Sequence, residues 1–141
     1  MLNCTLRFLG YGLINTALSH YLLEMLDERM LAELNQQINE ELYSAYIYHS
    51  MSADLEYKGF KGMATWMRVQ TREEQVHADI FANYILERGG RVELQSLDEP
   101  PKEWETPLGL FKAALEHERH ITGRINEMVK VAREVNDNAT Y

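Results

Sequence analysis

The feature that most limits how this chain can fold is a four-three apolar spacing that runs through three long segments. From about Asp27 to Lys58 the stripe is Leu34, Ile38, Ala45, Tyr48 and Leu55. From about Phe60 to Arg88 it is Met63, Met67, Phe81 and Tyr84, and from about Thr106 to Val135 it is Leu108, Phe111, Leu115, Thr122, Ile125, Val129 and Ala132. That period is helical, and three such helices side by side pack at the shallow crossing angles of a bundle. The punctuation agrees. Gly59 closes the first segment and Gly89-Gly90 the second, while Thr106-Pro107 opens the third with an N-cap followed by proline at the first helical position. Each helix is then about 45 Å long, at about 1.5 Å per residue.

The connections set the topology. The break at Gly59 is so short that the first two helices must run antiparallel. The second connection, about sixteen residues with alternating Val92 and Leu94 and then Pro100-Pro101, is no tight turn. At up to about 3.3 Å per residue it can span about 50 Å, enough to travel the length of the bundle and start the third helix parallel to the second. The expected fold is all-α, an up-down bundle with a long crossover between its second and third helices.

Each apolar seam is interrupted by acid. Glu41 sits on the first stripe, Glu118 on the third, and continuing the second stripe through Gln70 lands on Glu74 and His77. Glu74 and His77 are three residues apart, so on a helix a carboxylate oxygen and an imidazole nitrogen can meet one metal ion. A lone Glu-x-x-His is common on solvated helix faces. Here, measured from the Gly59 end, Glu41 and Glu74 come to about 22–27 Å and Glu118 to about 17 Å, so all four groups share one depth. Buried charge is costly unless it is paired or coordinates a metal.

Composition narrows the function. The chain has 141 residues, enough for one domain, and a net charge of −8 with basic residues interspersed among acids. That balance disfavours a nucleic-acid surface and suits cations. A single Cys4 permits no intrachain disulfide, which points to a reducing compartment, the cytoplasm, and a site without sulfur. Residues 1–24 read as an N-terminal extension, too polar for a membrane span and a poor signal peptide, ahead of a fresh start at Met25. The domain is expected over 25–141. His117 and His120 lie off the seam and are expected at the surface, His49 on a helix flank. Met51, Met63, Met67, Met128 and Trp66 are expected as packing, and Trp104 as a loop anchor.

Several stretches together resemble the non-haem ferritins of bacteria and archaea. They are Asn39-Glu40-Glu41-Leu42-Tyr43-Ser44-Ala45-Tyr46, Phe60-Lys61-Gly62 leading to Glu73-Glu74-Gln75-Val76-His77, Glu87-Arg88-Gly89-Gly90-Arg91-Val92, and Glu116-His117-Glu118 with Ile121-Thr122. The resemblance covers about 25–141. It implies a ferritin-like subunit that oxidises Fe(II) with O2 or peroxide at a dinuclear iron centre and stores the ferric mineral inside a homo-oligomeric cage of 24 subunits, with no nucleic-acid or membrane partner. It further implies Glu41, Glu74, His77 and Glu118 as iron ligands with Glu74 bridging, Tyr48 beside the centre, and Glu73 at an accessory iron site. The sequence stops at Tyr141, where the family's fourth helix begins, so the expected bundle lacks that helix and its carboxylates. Two other readings stay open. One is a helical assembly module, or a fragment with an incomplete metal site, whose inward acids are merely salt-bridged. The other is a rubrerythrin-like peroxidase, which calls for a Glu-x-x-His in the last helix and a cysteine-rich iron site, neither of which is present.

Overall fold

The structure is a computed structural model that describes residues 26–141; the expected extension over 1–24 lies outside the described residues. Among the described residues there are three helices: α1 (Glu28–Tyr57), α2 (Lys61–Glu87) and α3 (Pro107–Glu134). Each starts and stops where the sequence chemistry asks. Asp27 accepts a hydrogen bond from the Arg29 amide at the head of α1, and Thr106 accepts one from Gly109 N–H at the head of α3 with Pro107 in the first turn.

All three helices end in the same hydrogen-bonded motif, in which a residue in the left-handed region lets the chain fold back on the last turn. At the end of α2, Gly89 (φ 70°) donates to the Leu86 carbonyl and Gly90 to the Ile85 carbonyl. Gly59 (φ 84°) and Asn136 (φ 58°) occupy the same position after α1 and α3. Gly90 has a second role. A Cβ there would lie 2.9 Å from both Ile85 Cγ2 and Leu31 Cδ1 and 3.2 Å from the Ile85 carbonyl oxygen. Gly90→Ala is therefore expected to destabilise the fold by about 1–3 kcal/mol, read as a lower urea midpoint at unchanged m-value.

α1 is the common partner of the other two helices. No Cα of α2 comes within 8 Å of one in α3. The directions follow from the pairings: as numbers rise along α3 they fall along α1, from Tyr48–Glu118 through Glu33–Arg124 to Arg29–Glu134, so α3 runs antiparallel to α1. The crossover is pinned along α1 in the same sense. Asn35 accepts from Glu93 N–H and donates to the Arg91 carbonyl, Ser50 donates to the Pro101 carbonyl, and buried Asp54 accepts from Trp104 N–H and Lys58. The connection thus climbs the bundle from one end to the other, α3 starts parallel to α2, and Trp104 is the loop anchor it was expected to be.

Two apolar clusters form the core. One holds Met30, Leu34, Ile38, Ala78, Ile85, Met128 and Ala132; the other holds Ile47, Tyr48, Met51, Leu55, Ala64, Met67, Leu110 and Ala114. The α1 stripe is buried as its spacing predicts. On α2 and α3 the stripe is displaced. Met63, Leu108 and Leu115 are 42%, 67% and 51% exposed, and the buried faces are Ala64, Met67, Thr71, Glu74, Ala78 and Ile85 on α2 and Leu110, Ala114, Met128 and Ala132 on α3. The reason is geometric. Among the described residues each of these helices packs its backbone closely against α1 alone, so the side facing α1 is covered while the adjacent stripe borders a cleft. Trp66, half exposed, keeps a partner there in Phe111, whose ring centroid is 5.5 Å away.

Candidate metal centre

Between the two apolar clusters lies a belt of buried polar side chains: Gln37, Glu41 and Ser44 from α1, and Thr71 and Glu74 from α2. These positions continue seams that are otherwise apolar, so packing alone does not account for them. Glu41 and Glu74 are 3% and 7% exposed. Ligand atoms of Glu41, Glu74 and His77 all lie within 4.8 Å of one another. His77 Nδ1 is 3.1 Å from Glu74 Oε2 and 3.9 Å from Glu41 Oε2. The three face an open cleft of about 350 Å³, with Glu118 on the α3 side and Ile80 and Ile121 at its rim.

Hydrogen bonding in this belt is incomplete at two buried atoms, Gln37 Oε1 and Glu41 Oε2. Gln37 Nε2–H donates to Glu41 Oε1 at 2.8 Å, but Glu41 Oε2 is buried with no hydrogen-bond partner among the described residues. A buried carboxylate oxygen without a donor is costly. Two carboxylates and an imidazole around it are the oxygen-rich, one-nitrogen donor set that suits iron or another first-row divalent ion. The residues present therefore fit a cation.

The electrostatics agree. Burial, and then the neighbouring Glu41 carboxyl, push Glu74 up from the ordinary 4.5 to about 7 against the opposing pull of His77. The folded chain consequently holds this proton more tightly than the unfolded chain. Its contribution to stability is complete below about pH 4.5 and is lost as pH rises through about 7. Relative to Glu74→Gln, the metal-free protein is expected to lose stability between pH 5 and 8 in urea titrations. Stabilisation by an added divalent ion is expected to grow over the same range, because the ion must displace that proton.

The remaining expected site residues fall in different places. Tyr48 is buried at 2% exposure, and its hydroxyl donates to Glu118. Burial first and that bond second push the phenol well above its ordinary range, so it stays protonated. Glu118 lines the cleft but is exposed, and it is turned to Tyr48 rather than joined to the triad. Glu73 is exposed, bonded to Gln70 and outside the cluster. His120 sits at the surface beside Glu40, and His49 is exposed, as expected.

His117 departs from expectation. It is half buried against α1, edge-on to Tyr43 and Tyr48. Ser44 gives its own proton to the Glu40 carbonyl, so its oxygen accepts from His117 Nε2–H at 2.7 Å, and burial lowers the imidazole below its ordinary range. Gln37 was also missed. The signal available for it was a position one turn before Glu41.

Comparison with known proteins matches the same three helices. A model of the ferritin-like domain fits residues 31–141. A bacterial non-heme ferritin of Bacteroides fragilis is 40% identical over 116 residues, covering 82% of this chain and 73% of the relative, and one of Escherichia coli O157:H7 is 33% identical over 117 residues, covering 83% and 71%. An open pore ferritin from the hyperthermophilic archaeon Archaeoglobus fulgidus superposes with a TM-score of 0.81 at 47% identity, over 82% of this chain and 72% of that one. Among the described residues no helix is long and apolar enough to cross a membrane. Likeness of this extent, over the helices that carry the buried carboxylates, shows that the chain belongs to the ferritin family, among its non-haem members.

Proposed function

We propose that this chain is a cytoplasmic iron-storage subunit whose cleft takes up Fe(II) as substrate and promotes its oxidation by O2 or peroxide. The observation that carries this reading is the buried, unpartnered Glu41 Oε2 facing Glu74 and His77. Glu41 and His77 each hold an ion and Glu74 bridges a pair. Glu118 completes the set by turning from the Tyr48 hydroxyl into the cleft. Glu73, one position away and open to solvent, is where an incoming ion is first met. Two Fe(II) ions supply one electron each, which with two protons reduces O2 to hydrogen peroxide and leaves two Fe(III). The protein's part is to gather negative oxygen ligands, which favour the higher charge of the product. The open face between α2 and α3 requires a covering segment, and a cage of 24 such subunits is the assembly in which the ferric mineral is kept.

Anaerobic Fe(II) titration followed by O2, with solution mass measured alongside, tests this. The expected result is two irons per chain and rapid oxidation in a large assembly. One weak site or none, with oxidation no faster than in buffer, contradicts it and favours the metal-free assembly module.

A further inference from the structure

Gln37 is wholly buried, on α1, one turn before Glu41. Its neighbours on the helix face, Met30, Leu34 and Ile38, are apolar core residues of 2% exposure or less. A leucine or methionine at position 37 would suit both the helix and the core. The glutamine forgoes that burial, and its own Oε1 is left without a partner among the described residues. An amide half satisfied in an apolar interior is a poor choice for stability alone. What it does achieve is specific: its Nε2–H occupies Glu41 Oε1 at 2.8 Å, and the oxygen left over, Oε2, is the one nearest His77.

We propose that Gln37 is a positioning residue that fixes the plane of the Glu41 carboxylate and confines metal binding to Glu41 Oε2. The inference rests on the metal reading of the cleft. Without the amide, the Glu41 carboxylate is free to turn about its terminal torsion, which is broad for glutamate. Both oxygens then compete for the ion, and the position of Oε2 relative to Glu74 and His77 is no longer set before binding. Partners that orient a metal ligand in this way commonly change metal affinity by about 10–100-fold when removed.

The test compares the full chain with Gln37→Met, which keeps length and helix preference, and with Gln37→Asn, which keeps the amide but is one methylene too short to reach Glu41. Zn(II) affinity is measured by calorimetry, metal-free stability by thermal unfolding, and ligand geometry by Co(II) visible absorption. The expected result is a roughly 10-fold or greater loss of Zn(II) affinity in both variants and changed Co(II) bands, with metal-free Gln37→Met still folded and its unfolding temperature lowered only as far as the lost donor to Glu41 Oε1 entails. A purely structural role predicts a lower metal-free unfolding temperature with unaltered Zn(II) affinity and Co(II) spectrum. That result, or failure of Gln37→Met to fold, overturns the proposal. If the parent itself binds no Zn(II), the metal reading falls and this inference with it. If the parent binds and the variants bind equally well, only the positioning role is lost.

Discussion

Glu74→Leu is expected to give a chain that is more stable than the parent at pH 8 without metal, and that has lost the stabilisation metal provides. Glu74 is buried, and its carboxyl is pushed up to about 7 because the interior disfavours its charge. Among the described residues its one polar contact besides the opposing carboxylate is His77, whose side chain is 43% exposed and can turn to water when the partner is removed. Replacing a buried ion pair as a whole by apolar side chains is commonly neutral to stabilising, by about 1–4 kcal/mol, and Glu74, whose partner can return to water, approaches that case. Leucine also has good helix propensity at a mid-helix position. The second half of the effect has opposite sign. At a hundredfold excess over its dissociation constant, an ion that binds only the folded parent stabilises it by about 2.7 kcal/mol. Removing one ligand of three forfeits most of that. Thermal or urea unfolding with and without Zn(II) reads both halves. A variant that is destabilised without metal yet still responds fully to it would show that Glu74 serves the fold and not the ion.

The second large effect is on packing. Leu110→Ala is expected to cost about 2–5 kcal/mol, because Leu110 is fully buried and truncation leaves a cavity that helices cannot readily close. It matters more here than in a closed bundle. Among the described residues the backbone of α3 comes close only to that of α1, and its buried positions are Leu110, Ala114, Met128 and Ala132. Leu110 is the largest contribution to the end where the crossover delivers the chain into α3. Leu115→Ala, on the same helix but 51% exposed, is expected to cost about 1 kcal/mol or less. Urea unfolding of the pair separates the alternatives, since equal losses would mean that Leu115 is covered as well and that the cleft is closed in solution.

That pair also shows how far the sequence could be read. Helix limits were legible to within a residue or two because they are written in local chemistry: Gly59, Gly89-Gly90 and Thr106-Pro107 act through their own backbone angles and hydrogen bonds. The depth of the site was legible too, since rise per residue and connection length are fixed by covalent geometry. Rotation of each helix about its axis was not. A four-three repeat has two adjacent apolar stripes on α2 and α3, Met63 beside Ala64 and Leu108 beside Leu110, and only the neighbour decides which is buried. α1, flanked by helices on two sides, was read correctly for the same reason. Glu74 survived the uncertainty because it lies on the stripe that meets α1, whereas Glu118 lies on the one that borders the cleft. His117 and Gln37 were missed because their roles depend on Ser44 and Glu41 as partners, and a hydrogen bond to a named atom leaves no periodic trace in a sequence.

The most direct test of the central claim, that Glu41, Glu74 and His77 form a cation site, is equilibrium binding of Fe(II) under anaerobic conditions at pH 7.5, measured in parallel on the parent chain and on Glu74→Leu. Saturable binding of at least one ion per parent chain is expected, with binding weakened at least about tenfold in the variant, the loss of about 1.4 kcal/mol or more that removing a direct ligand entails. Equal binding by the two proteins, or binding that rises without saturation in both, would contradict that claim.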